Sequence, residues 1–211
     1  MSNFELKHRT ASKLSEHVAY KITQCLKFLL NIFYGTKYAK RAVILETIAA
    51  VPGMVAGMFN HLKALRRMKD DEGWIRELLD EAENERMHLM IFLNIAKPSW
   101  VERALVLIGQ GVFIMVYSLI YVLSSKIAHR VVGYFEEEAC KSYTEYLSKI
   151  DAGEVENVAA PKIAIEYYQL PLDAMLRDVI VKIRNDEAKH RDQNHFFADA
   201  YANHNLPEHQ H

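Results

Sequence analysis

The sequence is poor in the residues that interrupt helices or cross-link secreted domains. Its 211 residues include 5 prolines, 8 glycines and 2 cysteines. Two cysteines without a CxxC spacing exclude a disulfide framework. We therefore expect Cys25 and Cys140 to be small buried apolar residues in a reduced, intracellular protein. The formal net charge of -1 gives no overall field that would attract nucleic acid.

Helical periodicity covers almost the whole chain, and no stretch alternates as a strand does. The length suits one domain with a full core: an N-terminal arm over 1–14, a helical domain over 15–202 and a disordered tail over 203–211. Proline and glycine positions set most of the boundaries, and Pro52 is expected to kink the second helix. The predicted helices span residues 15–33, 38–68, 74–96, 100–123, 126–150 and 171–202, with a short helix over 162–169 as an option.

Two Glu-x-x-His pairs each follow a lone glutamate that lies within an apolar stretch. Residues at i and i+3 share a helical face, so each pair can offer a carboxylate and an imidazole to one metal ion. This order is typical of four-helix bundles that carry two metal ions. Carboxylates and imidazoles without thiolates favour iron or manganese. The predicted ligands are Glu46, Glu85, His88, Glu136, Glu187 and His190.

The apolar surroundings distinguish these pairs from chance. Two further copies, Glu5/His8 and Glu208/His211, lie in polar terminal segments and are interpreted as accidental. A carboxylate in an apolar stripe needs a cation or a proton, because unpaired burial is too costly. The stripes around the two inner pairs are Leu78, Ala82, Leu89, Phe92 and Ala96 in one helix, and Leu172, Leu176, Val179, Ile183 and Phe197 in the other.

The fourth predicted helix contains twenty residues, 104–123, without a charge. That length would span a bilayer, and it equally matches the length of a helical bundle. The third and fifth helices must bring their ligands to the same metals, which favours a crossover helix along the outside of the bundle. Its apolar surface would then be too large for water.

The first predicted helix has an apolar face and basic neighbours. The face comprises Val18, Ile22, Cys25, Leu26, Leu29, Leu30 and Phe33, and nearby lysines and arginines include Lys21, Lys27, Lys37 and Lys40. Monotopic attachment of this helix and the fourth to one leaflet of a bilayer is one hypothesis. A homodimer interface could bury much of the same surface, and both can hold together.

Four motifs together resemble the alternative oxidases, the cyanide-insensitive di-iron ubiquinol oxidases of respiratory membranes. They are RAVILET at 41–47, NERMHL at 84–89, FEEEA at 135–139 and DEAKHR at 186–191, and the resemblance extends over roughly residues 18–200. Plastoquinol terminal oxidases share the ligand pattern. The resemblance implies an all-α, ferritin-like four-helix bundle with a di-iron centre and two additional membrane-associating helices.

The resemblance also implies roles for individual residues. The six predicted ligands match the family's ligands; Tyr143 matches a tyrosine considered a redox participant, or is simply a buried tyrosine hydrogen-bonded to a carboxylate. Asn84 and Asp186 match positions that orient ligands through hydrogen bonds. A quinol pocket is implied by Arg41, Leu45, Phe135, Glu138, Ala139 and Ser142. Phe135 and Ser142 depart from the usual leucine and threonine, which puts inhibitor sensitivity and quinone-tail preference in doubt.

The resemblance implies that two iron ions reduce O₂ to water with electrons from ubiquinol, without proton pumping. Glu138 or Arg41 would orient the quinol and accept its proton, and Tyr143 would contribute an electron. The alternatives are a di-iron hydroxylase acting on a quinone precursor, a ferritin-like ferroxidase or iron-binding protein, and a non-catalytic membrane scaffold.

The N-terminal residues lack an apolar signal core and contain Glu5 and Glu16, and we predict the location from them. They favour the cytoplasmic face of a bacterial inner membrane, with a processed enzyme on the matrix face of the mitochondrial inner membrane as the alternative. No cysteine matches the N-terminal regulatory cysteine of some family members, so thiol control is not expected.

Overall fold

A computed structural model of the chain describes residues 6–34 and 37–202. Within these residues the chain forms helices joined by short turns, with a single isolated β-bridge between Ala159 and Met175. Residues 1–5 and the predicted tail at 203–211 lie outside the described part. The helices are α1 (Leu14–Tyr34), α2 (Tyr38–Arg67), α3 (Trp74–Ala96), α4 (Trp100–Leu123), α5 (Ser125–Asp151), α6 (Lys162–Tyr168) and α7 (Leu176–Ala202).

The first five predicted helices agree with the structure to within one residue at each end, but the start of the last one was predicted wrongly. The helix begins at Leu176 rather than at 171. Residues 174 and 176 bond instead to the preceding loop, through Ala160 N to Ala174 O at 2.9 Å and Leu176 N to Val158 O at 2.8 Å. Leu172, expected on the apolar face, is therefore 92% exposed.

Helices α2, α3, α5 and α7 form the four-helix bundle, which confirms the predicted fold class. The most extensive packing pairs α2 with α3 and α5 with α7. At Gly53 a side chain would collide with the Leu78 carbonyl oxygen and with Ala82 on α3. Glycine thus allows α2 and α3 to approach closely, and α2 stays helical through Pro52.

Helix α4 crosses between the two helical pairs and lies outside the core, as predicted. Both α2 and α4 are long and apolar enough to span a membrane, but the most apolar window of α2 is 67% buried and that of α4 only 12%. The α2 window is therefore explained by the bundle core, whereas α4 is left with apolar surface. Its exposed side chains include Leu107, Ile108, Val112, Met115, Val116, Leu119, Val122 and Leu123.

Helix α1 packs mainly on α5 through Ala19 and Thr23, which are fully buried. On the predicted outer face Val18 is exposed, and Ile22 and Leu26 are partly buried. The side chains of residues 29, 30 and 33 lie outside the described part of the structure. Cys140 is buried as expected, but the prediction for Cys25 was wrong, because this residue lies on the exposed face of α1.

Candidate metal centre

Each helix of the bundle brings at least one predicted ligand to the interior. Glu46 comes from α2 and Glu136 from α5, whereas α3 and α7 each contribute a Glu-x-x-His pair. All of them are buried: Glu46 is 2% exposed, Glu85 1%, His88 0%, Glu136 1%, Glu187 1% and His190 8%. Six polar side chains within the apolar stripes of the four helices are therefore buried together in the bundle interior.

His88 lies at the middle of this centre. Its Nδ1 atom is 3.3 Å from a Glu46 oxygen, 3.5 Å from Glu85 and 3.1 Å from Glu187. These four residues can offer ligand atoms that all lie within 4.8 Å of one another. His190 and Glu136 flank the group: His190 Nδ1 is 2.6 Å from Glu85 Oε1, and Glu136 adjoins Glu187.

The close approaches at this centre leave hydrogen-bonding capacity unused. Buried atoms without a hydrogen-bond partner are Glu46 Oε2, both Glu85 oxygens, His88 Nδ1, Glu136 Oε2, Glu187 Oε1 and His190 Nδ1. Seven such atoms in one place are costly to bury unless a cation binds them. The set of carboxylates and imidazoles fits iron or manganese rather than a thiolate-preferring ion.

Burial and mutual repulsion perturb the carboxyl groups. Burial, followed by the charges of neighbouring carboxylates, raises the pKa values of Glu85 and Glu136 well above the usual range. The same causes raise the pKa of Glu187 to about 7. Burial also opposes ionisation of Glu46, but contact with His88 outweighs it and lowers the pKa of this carboxyl. The protein alone therefore disfavours simultaneous ionisation of all four carboxyl groups at this centre, whereas a bound cation would favour it.

Tyr143 lies beside this centre, which is the position that a tyrosine next to the metals would need. Its hydroxyl donates a short hydrogen bond to Glu46, and its ring stacks on Phe92 at 5.8 Å between centroids. The side chain is 2% exposed. Burial, then the charge of Glu46, raises the pKa of its hydroxyl well above the usual range, so the tyrosine holds its proton.

Of the two predicted orienting residues, one lies near a predicted ligand but beyond hydrogen-bonding distance. Asp186 Oδ2 lies 3.7 Å from His88 Nε2 and accepts a hydrogen bond from Tyr168 at 2.9 Å. Asn84 instead donates to the Tyr167 hydroxyl at 2.7 Å. In this structure Asn84 therefore orients α6 rather than a ligand.

Five of the six predicted quinol-pocket residues line one cavity between α1, α2 and α5. They are Arg41, Leu45, Phe135, Glu138 and Ala139, with Thr23 and Lys27 from α1; Ser142 is not part of this lining. The cavity volume is about 10 Å³, enough for one water molecule. The cavity as it stands is therefore too small for an aromatic ring.

Glu138 is the main charged acceptor in this cavity. Its carboxylate lies 2.5 Å from the Lys27 ammonium and 2.8 Å from that of Lys141. Burial disfavours its charged form, but the two lysines outweigh burial and lower the pKa of its carboxyl. Arg41 contributes an Nε atom that is buried without a hydrogen-bond partner.

Comparison with known proteins decides the family. Residues 1–199 match the family model described as "Alternative oxidase". The chain belongs to the alternative oxidase family. This confirms the resemblance seen in its four motifs.

Curated relatives of this alternative oxidase carry the name ubiquinol oxidase. "Ubiquinol oxidase 2, mitochondrial" of Nicotiana tabacum is 54% identical over 195 residues, which are 92% of this chain and 66% of that protein. "Ubiquinol oxidase 1c, mitochondrial" of Arabidopsis thaliana is 53% identical over 203 residues, 96% of this chain and 62% of the relative. "Ubiquinol oxidase 1a, mitochondrial" of Oryza sativa subsp. japonica is 55% identical over 195 residues, which are 92% of this chain and 59% of the relative. The chain thus spans 59–66% of the length of these relatives.

Sequence reasoning missed a polar network that adjoins the metal centre of this alternative oxidase. Glu81 is 6% exposed and accepts hydrogen bonds from Asn194 at 2.9 Å. Asn194 also bonds His129 at 3.0 Å. Burial raises the pKa of Glu81 to about 7. The available signal was its spacing, since Glu81 precedes Glu85 by one helical turn.

A second missed network ties the N-terminal arm to α5 and α7. His8, interpreted above as part of an accidental pair, contacts Glu137, and Arg9 N donates to the same carboxylate at 2.9 Å. Its predicted companion Glu5 lies outside the described residues. The polar N-terminal arm thus packs at a defined position, because charged side chains on α5 and α7 bind it.

Proposed function

We propose that this chain is a membrane-bound ubiquinol oxidase. It oxidises ubiquinol and reduces O₂ to water at a non-haem di-iron carboxylate centre, insensitive to cyanide and without proton pumping. Family membership and the names of the relatives support this activity. The observation that carries it is the set of seven buried ligand-type atoms that lack hydrogen-bond partners at one point of the bundle.

Two iron ions fit the donor set. Glu46, Glu85 and His88 would hold one side of the centre, and the remaining ligands, Glu136, Glu187 and His190, complete four carboxylates and two imidazoles. When bound, the iron pair supplies O₂ binding and the electron exchange that four-electron reduction needs. Seclusion in the bundle keeps bulk water from the reacting atoms.

Tyr143 would supply an electron and a proton at the edge of the centre. Its hydroxyl donates to Glu46, so a carboxylate oxygen is in place to take the proton when the tyrosine is oxidised. The stack with Phe92 holds the ring in this orientation. The hydrogen bond makes electron and proton loss possible at a single position.

Arg41 and Glu138 would bind and orient ubiquinol. The ionised Glu138 carboxylate can accept a hydrogen bond from a quinol hydroxyl, and Lys27 and Lys141 hold that carboxylate in position. Leu45, Phe135 and Ala139 would contact the ring, with Ser142 joining them once the cavity widens. Quinol binding therefore requires exchange of Glu138 contacts as the cavity widens.

We further propose attachment to one leaflet of a lipid bilayer through α4 and α1. The exposed apolar side chains of α4 support this, because such a face is unfavourable in water. The names of the relatives favour a mitochondrial membrane over the bacterial inner membrane.

We also propose a homodimer. Helices α2 and α3 and the residue that caps α2 carry exposed apolar side chains, here called the α2–α3 patch, which are Met54, Met58, Leu62, Leu65, Met68 and Leu79. An interface between two copies would bury this patch, whereas α4 remains free for lipid.

Oxygen uptake by membranes that contain the chain tests the activity. With ubiquinol-1 as the substrate and cyanide present, we expect uptake that Glu85→Ala abolishes. The matched control is Glu83→Ala on the same helix, which removes a solvent-exposed carboxylate and should leave uptake unchanged. If a preparation with two irons per chain shows no uptake, the oxidase assignment is wrong.

A further inference from the structure

His88 and His190 are the two imidazoles of the metal centre, yet their second nitrogen atoms face different surroundings. His88 Nε2 is 2.9 Å from the hydroxyl of Tyr168, the last residue of α6. His190 lines a polar cavity of about 520 Å³, and no described residue forms a hydrogen bond to its Nε2 atom. The two halves of the centre are therefore supported unequally.

The hydrogen-bond directions around Tyr168 follow from the charge of its other partner. Asp186 is an acceptor, and Lys189 Nζ at 2.7 Å from its Oδ1 atom keeps the carboxyl ionised. The Tyr168 hydroxyl therefore donates to Asp186 Oδ2 at 2.9 Å. Its oxygen is left to accept from His88 Nε2–H.

These hydrogen-bond directions determine the tautomer of His88. With its proton held on Nε2, a metal-binding His88 must present the lone pair of Nδ1. Nδ1 is the atom that faces Glu46, Glu85 and Glu187 at 3.1–3.5 Å. Asp186 Oδ2 itself lies 3.7 Å from Nε2, beyond hydrogen-bonding distance, so this carboxylate does not replace Tyr168 without a movement.

We propose that Tyr168 is a positioning residue for His88 and makes the metal position on His88 the tighter of the two. It acts through the chain His88 Nε2–H to Tyr168 to Asp186, whereas the position on His190 lacks such support. The inference rests on the proposed di-metal centre. It assigns a role in metal binding to α6, which supplies none of the six ligands.

Anaerobic titration of the metal-free protein with Co(II), followed by visible absorption, tests this role. The wild type should bind two Co(II) ions with unequal affinities. Tyr168→Phe should weaken the tighter step about tenfold or more and change the weaker step little. The matched control is Tyr134→Phe, which removes a buried hydroxyl that has no hydrogen-bond partner and should leave both steps within twofold.

Two results would overturn the inference. One is a Tyr168→Phe titration equal to that of Tyr134→Phe; the other is equal weakening of both steps together with a lower melting temperature of the metal-free protein. Should Tyr168→Phe not fold, Asp186→Ala tests the same chain and must weaken the same step. A wild type that binds no Co(II) would refute the metal centre itself, whereas a wild type that binds two ions with an unaffected variant refutes only the role of Tyr168.

Discussion

Glu136 and Glu137 are consecutive on α5 and almost equally buried, at 1% and 2% exposure. Their pKa values nevertheless shift in opposite directions from that of an ordinary glutamate. Burial and neighbouring carboxylates raise the pKa of Glu136 well above the usual range. Burial acts on Glu137 too, but hydrogen bonds from His195, Arg9 N and His8 outweigh it and lower the pKa of its carboxyl. Burial alone therefore does not distinguish the candidate ligand Glu136 from its neighbour; the Glu136 Oε2 atom without a hydrogen-bond partner does.

The region around Glu137, which we name the arm network, neutralises its charges within the protein. It comprises His8, Arg9, Glu16, Arg130, Glu137, His195 and Asp199. Arg130 Nη2 lies 2.5 Å from Asp199 and 3.4 Å from Glu16, and Arg9 Nη1 lies 2.8 Å from Asp199. The arm network thus pairs its charges with protein groups, whereas the candidate metal centre leaves seven ligand-type atoms without a hydrogen-bond partner.

The largest expected effect is the rise in melting temperature on metal loading, which should depend on the metal centre and not on the arm network. Loading the metal-free protein with iron should raise its melting temperature by roughly 10–20 °C, because two bound ions at about 100 times Kd contribute about 5 kcal/mol. Calorimetry before and after chelation checks this. A Glu137→Gln variant should show the same rise in melting temperature on iron loading, although its metal-free form melts at a lower temperature. If this variant shows no rise, the two regions are not independent.

Exchanging each glutamate for glutamine should give unequal losses in the metal-free protein. Glu137→Gln weakens the hydrogen bonds that the buried carboxylate accepts from His195, His8 and Arg9 N, and should cost about 2–4 kcal/mol of unfolding free energy. Glu136→Gln should cost less than about 1 kcal/mol, because the raised pKa already favours a neutral side chain at this position. Denaturant titration of both variants at neutral pH measures the difference. Equal losses would contradict the comparison.

The arm network should also weaken in acid. Bonds from Ser12 and Lys13 and the charge of Arg130 outweigh burial and lower the pKa of Glu16 to about 2. Because the folded pKa lies below the unfolded value, Glu16 stabilises the fold above about pH 4.5 and loses this contribution as the pH falls toward 2. The contribution should be about 1–2 kcal/mol, allowing for solvent at the exposed partners. Unfolding of wild type and Glu16→Gln between pH 2 and 6 tests it, and parallel curves would refute it.

The smallest effect is expected where charge is neither buried nor a ligand. Arg76 and Asp80 form an exposed pair on α3 at 3.4 Å. Arg76→Ala should change the unfolding free energy by less than about 0.5 kcal/mol, with metal affinity unchanged. A loss comparable to that of Glu137→Gln would show that exposed charges matter as much as buried ones here.

Local patterns explain what could be predicted from the residues alone. Most helix ends were predicted from proline and glycine positions, and the bounds of five helices agreed with the prediction to within one residue. The start of α7 did not, because Ala174 and Leu176 form hydrogen bonds with Ala160 and Val158 of the preceding loop, a pairing that local signals do not reveal. Cys25 was expected inside, since residue type does not reveal which face of α1 meets α5.

The sequence by itself determined the fold class, the family and the six candidate ligands. Periodicity places Glu and His on one helical face, and an apolar stripe cannot hold a carboxylate without a counter-charge. Only the tertiary structure decided which buried charges are already neutralised. Nothing along the chain shows that Glu137 is neutralised or that His88 and His190 are supported unequally. The partners Arg9, His195 and Tyr168 come from distant segments that folding brings into contact.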